Sequence, residues 1–156
     1  MNYVLLRRLL PSVAKHQQSY WSGFRSFAIL TDDVQPAECV GEEEVTSSQL
    51  RSMLSKRDLQ LFDVRNPDEF KAGHIPHAVN MPLGSLEESL KMSPESFQQR
   101  FQVRAPGKKD DNIVFHCFSG RRSAKALDIA RKMGFSRAKH YKGGYSEWAE
   151  KERKQL

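Results

Sequence analysis

Cysteine, N-terminal acid and long apolar runs are all scarce in this chain of 156 residues. Two cysteines, Cys39 and Cys117, are too few for a disulfide framework. No C-x-x-C pair and no Cys/His cluster at zinc spacing occurs, so no structural metal is expected. No stretch approaches the about 20 apolar residues that a transmembrane helix requires. Internal repeats and low-complexity tracts are also missing. What remains, 38% hydrophobic and 28% charged residues, is the composition of one globular domain.

The net charge of +6 is unevenly spread. Residues 1–31 hold Arg7, Arg8, Lys15 and Arg25 and no acid. The rest of the chain carries 21 basic against 19 acidic residues, a balance of only +2. No compact basic-aromatic patch stands out there, so neither nucleic acid nor a membrane is an expected partner.

The acid-free, serine-containing start has the composition of a mitochondrial transit peptide, expected over 1–30 with delivery to the matrix. Leu5, Leu6, Leu9 and Leu10 can share a helical face, which Pro11 ends. Arg7-Arg8 interrupts the apolar run that a secretory signal would need. Residues 31–44 are acidic and aperiodic and read as a linker, in which Cys39 is an incidental thiol.

Regular patterning starts at Val45 and runs to residue 152, with 153–156 as a tail. Thr46–Gln49 offers a helix cap ahead of Leu50, Met53 and Leu54. Leu59–Val64 suits a buried strand, and Asn66-Pro67-Asp68-Glu69 suits a helix start. Ala78–Met81 is a short strand, followed by helices over 84–91 and 94–101. Asn112–His116 is the best strand, and Ser123–Met133 has helical apolar spacing with Gly134 as its stop. Ala138–Tyr141 is a weak last strand, and a final helix holds Tyr145 and Trp148. Strands alternating with helices predict an α/β fold: one domain, a mostly parallel central sheet and helices on both faces.

The chemistry concentrates in Cys117-Phe118-Ser119-Gly120-Arg121-Arg122-Ser123. A strand delivers Cys117 to a short loop, and a helix starts straight after it. In an open α/β sheet, sites form beyond the carboxyl ends of the strands. Loop N–H groups, the helix N-terminus and the two arginines all favour thiolate over thiol. Gly120 permits backbone angles closed to other residues. An exposed, activated sulfur in a cationic cradle suits an anionic sulfur donor.

These residues bring a resemblance into view. C-x-x-G-x-R, here Cys117 to Arg122, resembles the active-site loop of the rhodanese family. Leu61-Phe62-Asp63-Val64-Arg65 with Gly73-His74-Ile75-Pro76 is similar to the family's first signature, and Tyr141-Lys142-Gly143-Gly144-Tyr145 with Trp148 to its last. The match covers about residues 45–152, behind a transit-like segment, as in the family's mitochondrial single-domain members.

The resemblance implies a sulfurtransferase. Cys117 takes sulfur from thiosulfate or a persulfide and passes it to cyanide, glutathione or a protein thiol, with no metal or organic cofactor. Phe118, Ser119, Gly120, Arg121, Arg122 and Ser123 bind substrate, and Asp63 and Arg65 support the loop. One of Arg121 and Arg122 faces the donor while the other pairs with an acid. The alternatives are a non-catalytic rhodanese module, a protein-to-protein persulfide relay, and a Cys-dependent phosphatase or arsenate reductase. The last class places five residues between Cys and Arg, a spacing that here falls on Ser123.

Overall fold

The computed structural model describes residues 43–154. The transit-like segment 1–30, Cys39 and nearly all of the expected linker lie outside the described residues.

In chain order the elements are β1 (Glu44–Val45), α1 (Ser47–Lys56), β2 (Gln60–Asp63), α2 (Pro67–Ala72) and β3 (Val79–Asn80). A 3₁₀ turn (Leu83–Ser85), α3 (Leu86–Leu90), α4 (Pro94–Phe101) and β4 (Ile113–His116) follow. The chain then forms α5 (Arg121–Lys132), β5 (Lys139–Tyr141) and α6 (Gly144–Arg153). Local chemistry explains the helix starts. Thr46 Oγ1 accepts from the Gln49 N–H at 3.3 Å, and the Thr46 N–H donates to Gln49 Oε1 at 2.7 Å, a reciprocal cap. Ser93 Oγ accepts from the Ser96 N–H at 3.2 Å, with Pro94 in the first turn of α4.

Beyond one-residue shifts at element ends, three boundaries differ from the sequence reading. Glu44, expected in the linker, lies in a two-residue strand too short to show a period of its own. It is held by β5, whose His140 N–H donates to Glu43 O at 2.8 Å. The helix expected over 84–91 divides into the 3₁₀ turn and α3. Helix α5 starts at Arg121 rather than Ser123, because Arg121 and Arg122 are polar and leave no apolar mark on the first turn.

The sheet order is β1-β5-β4-β2-β3, with every neighbouring pair parallel. Alternate residues face opposite layers. Phe62, Ile113 and Phe115 pack with Phe97, Ala126, Leu127 and Ala130 of α4 and α5. Leu61, Val114 and Tyr141 pack with Leu50 of α1, Ile75 and Trp148 of α6. Helices therefore cover both faces. Full burial of each large apolar side chain contributes about 1.5–3 kcal/mol. Burial on both faces also accounts for the apolar run Ile113–Phe115 of β4.

Register positions the site. Asp63 of β2 aligns with His116 of β4, and His116 with Tyr141 of β5. The next residue of the central strand, Cys117, thus leaves the carboxyl edge of the sheet between two neighbours.

Candidate active site

Cys117 is 1% exposed, and its Sγ accepts a hydrogen bond from the Gly120 N–H at 3.1 Å. The sequence reading places an exposed sulfur here, and the structure corrects it. The loop folds back over Sγ so that the Gly120 amide can reach it, and Cys117 packs into the Phe115–Ala126 cluster. Phe118, by contrast, is 49% exposed. That turn requires the left-handed conformation of Gly120 (φ 87°). A side chain at Gly120 would also collide with the Lys142 carbonyl.

The loop leads directly into α5. The first N–H groups of a helix have no intrahelical acceptor, so those of Arg121, Arg122 and Ser123 open the helix beside the sulfur. They add the helix dipole to the loop's cationic character. Ser123 is buried, with its Oγ 3.7 Å from Cys117 Sγ.

A second helix clamps the loop from the other side. The Tyr145 N–H donates to Cys117 O at 2.7 Å, and the Ser146 N–H donates to Phe118 O at 3.0 Å. Ser146 Oγ donates to the same Phe118 carbonyl at 2.8 Å. Such close approach between the start of α6 and the loop needs Gly144 (φ 61°), where a Cβ would lie 2.6 Å from Cys117 O.

Asp63 and Arg65 form a buried ion pair behind this arrangement. Arg65 Nη2 lies 2.6 Å from Asp63 Oδ2, Nε donates to both carboxylate oxygens at 3.0 Å, and neither residue exceeds 2% exposure. Arg65 Nη2 also donates to Gly73 O at 2.7 Å, and its guanidinium lies 4.4 Å from the centre of the Tyr145 ring. The pair thereby connects the end of β2 to the end of α2 and to the helix that clamps the loop.

The two arginines take different positions. Arg122 is bound by Glu69 of α2, at 2.6 and 2.7 Å. That contact holds the Glu69 carboxyl down to about 2 and raises the Arg122 pKa. Arg121 is exposed and makes no ion pair with any described residue.

Three neighbours escaped the sequence reading. Glu69 reads in the sequence as a first-turn acid, a role it also fills by accepting the Asn66 N–H at 3.2 Å. His116 is fully buried, 3.7 Å from Asp63. Burial pushes its pKa down to about 4, against the raising influence of Asp63. His140 of β5 meets Ser123, a contact between residues 17 apart that no local pattern announces.

The rhodanese-like domain model matches residues 46–151. The chain belongs to the rhodanese family. This rhodanese domain is 41% identical over 112 residues to the human thiosulfate:glutathione sulfurtransferase, covering 72% of this chain and 97% of that protein. It is 44% identical over 91 residues to a Schizosaccharomyces pombe protein with the provisional name of a mitochondrial thiosulfate sulfurtransferase, covering 58% of this chain and 63% of the relative. Among solved structures, a human single-domain sulfurtransferase superposes with a TM-score of 0.69 at 40% identity, over 71% of this chain and 98% of the other.

Proposed function

We propose that this rhodanese-family chain transfers sulfane sulfur from an anionic donor such as thiosulfate to a thiol such as glutathione, through a persulfide on Cys117. The observation that carries the reading is the Cys117 sulfur itself. It sits at the carboxyl end of the central strand, takes the Gly120 N–H at 3.1 Å, and borders the open first turn of α5. Sulfurtransferase relatives that align over most of their own length support it.

Two displacements complete the cycle. The Cys117 thiolate attacks the outer sulfur of thiosulfate, and the S–S bond breaks with its electron pair leaving on sulfite. An acceptor thiolate then attacks the outer sulfur of the persulfide and returns Cys117 as thiolate. No net oxidant or reductant is consumed. Exposed Arg121 and the helix start attract the donor anion, while Phe118 and Ser119 line the acceptor's approach.

The basic, acid-free residues 1–31 and the name of the fission-yeast relative both support action in mitochondria. A fluorescent reporter fused to residues 1–35 that stays cytosolic would refute that location.

The deciding experiment supplies the full chain with thiosulfate and either glutathione or cyanide. Wild-type protein forms glutathione persulfide or thiocyanate, and Cys117→Ser forms neither while remaining folded. Turnover that survives Cys117→Ser would end the persulfide mechanism. A folded wild-type chain inert with both acceptors would point to a relay or a binding module instead. Mass spectrometry for one added sulfur on Cys117 separates those two.

A further inference from the structure

One hydroxyl under the active loop has more partners than it has protons. Ser123 Oγ donates to Gly120 O at 2.9 Å, accepts from the Cys117 thiol at 3.7 Å and lies 3.2 Å from His140 Nδ1. All three side chains are enclosed, Cys117 at 1%, Ser123 at 0% and His140 at 7% exposure. They come from the loop, α5 and β5, so the chain Cys117–Ser123–His140 exists only in the folded sheet.

A serine hydroxyl carries one proton and two acceptor lone pairs. With Cys117 as thiolate and His140 Nδ1 bare, three acceptors compete for that proton: the Gly120 carbonyl, the imidazole and the sulfur. With Nδ1 protonated, the imidazole donates to Ser123 Oγ and leaves the competition. The anionic sulfur then outbids the neutral carbonyl, because hydrogen bonds to charged acceptors are the stronger kind. The sulfur so gains a second donor beside the Gly120 amide.

We propose that His140 is a positioning residue for Cys117, whose Nδ1–H holds the Ser123 hydroxyl turned onto the thiolate. This rests on the reading of Cys117 as the nucleophile. His140 never touches the reacting sulfur; it acts through Ser123. Burial lowers the His140 pKa, so near neutral pH the ring is uncharged and the choice lies between tautomers. The charged groups that act on the ring are Glu43 and Glu44 beside the sheet edge, Lys142 at the end of β5, and Arg131 of α5.

The test measures iodoacetamide alkylation of Cys117 at pH 7 in the full chain, with peptide mass spectrometry to separate it from Cys39. Ser123→Ala and His140→Phe each slow alkylation about tenfold, the effect of losing one hydrogen bond to a charged sulfur. The double variant is no slower than Ser123→Ala alone. His140→Asn keeps a donor N–H at the same bond count from Cα as Nδ1 and stays within about threefold of wild type. Additive losses, or a His140→Phe rate equal to wild type, would overturn the role. Where His140→Phe does not fold, ¹⁵N NMR of the imidazole in wild-type protein decides: a protonated Nδ1 supports the role and a bare Nδ1 refutes it. Alkylation needs no sulfur donor, so a chain inert to thiosulfate still answers the question. Thiosulfate turnover with unchanged alkylation in every variant would remove the role and leave the transfer reading intact.

Discussion

Arg122 and Glu69 face each other fork to fork, Nη1 to Oε2 at 2.6 Å and Nη2 to Oε1 at 2.7 Å, and join the first turn of α5 to the first turn of α2. The contact offsets the Arg122 charge where a donor anion would approach. Arg121, with no ion pair to a described residue, keeps its full charge. Arg121→Ala is expected to raise the KM for thiosulfate roughly threefold to tenfold, the effect of about 1 kcal/mol of lost attraction. An uncharged polysulfide donor should be little affected. Arg122→Ala is expected to lower turnover of both donors alike. Steady-state kinetics with the two donors checks both statements, and a donor-selective loss in Arg122→Ala alone would reverse the assignment.

The buried Asp63–Arg65 pair predicts a stability effect. Asp63→Asn leaves the Arg65 guanidinium enclosed with no compensating charge. Breaking such a pair costs about 3–5 kcal/mol. Urea unfolding should show a large drop in midpoint. A variant as stable as wild type would mean that Gly73 O and the Tyr145 ring suffice to hold Arg65.

Acid should destabilise the domain in two stages. His116 has a folded pKa of about 4, below its ordinary 6.5. The unfolded chain therefore binds more protons between those values, and stability falls as pH drops from about 6.5 through 4. The shift is equivalent to about 3 kcal/mol at full effect. His140 is lowered in the same direction and adds to this stage. Glu69 is lowered from 4.5 to about 2, so its contribution is present above 4.5 and disappears as pH falls through 2. Thermal melts across about pH 2–7 check the order. His116→Asn should flatten the slope between pH 4 and 6.5 and spare the lower stage.

Gly144 supplies a steric prediction with a built-in control. At φ 61°, an added Cβ would stand 2.5 Å from Phe118 O and 2.6 Å from Cys117 O. Gly144→Ala should cost about 1–3 kcal/mol and, by moving the loop carbonyls, cut transfer more than it cuts stability. A Cβ at Gly84 meets nothing within 4 Å, and Gly84→Ala should leave both properties near wild type. Equal behaviour of the two alanine variants would show that the loop does not depend on its contact with α6.

Much of this protein was legible before folding, because the relevant forces are local. Ser93-Pro94 and Thr46–Gln49 announce helix starts through capping chemistry, and Ile113–Phe115 announces a strand buried on both faces. Cys117, Gly120 and the arginines sit within six residues of one another, so the loop between β4 and α5 was readable as a unit. The alternation of elements was enough to give a parallel sheet with helices on both faces.

Tertiary structure decided what depends on residues far apart in the chain. Burial of Cys117 follows from the loop folding back over its sulfur and from packing against Phe115 and Ala126, which no spacing around position 117 encodes. The partner of Arg122 is an acid 53 residues earlier, and several acids suited that role equally by sequence. β1 forms because β5 offers an edge, since two residues carry too little pattern to declare a strand. His140 meets Ser123 only after the sheet places β5 beside β4. Sequence by itself determined that a cysteine follows the central strand and that Gly120 and two arginines come straight after it. Packing alone determined which charges are neutralised, which groups lose water and which hydroxyl faces the sulfur, because those properties belong to distances and burial rather than to order along the chain.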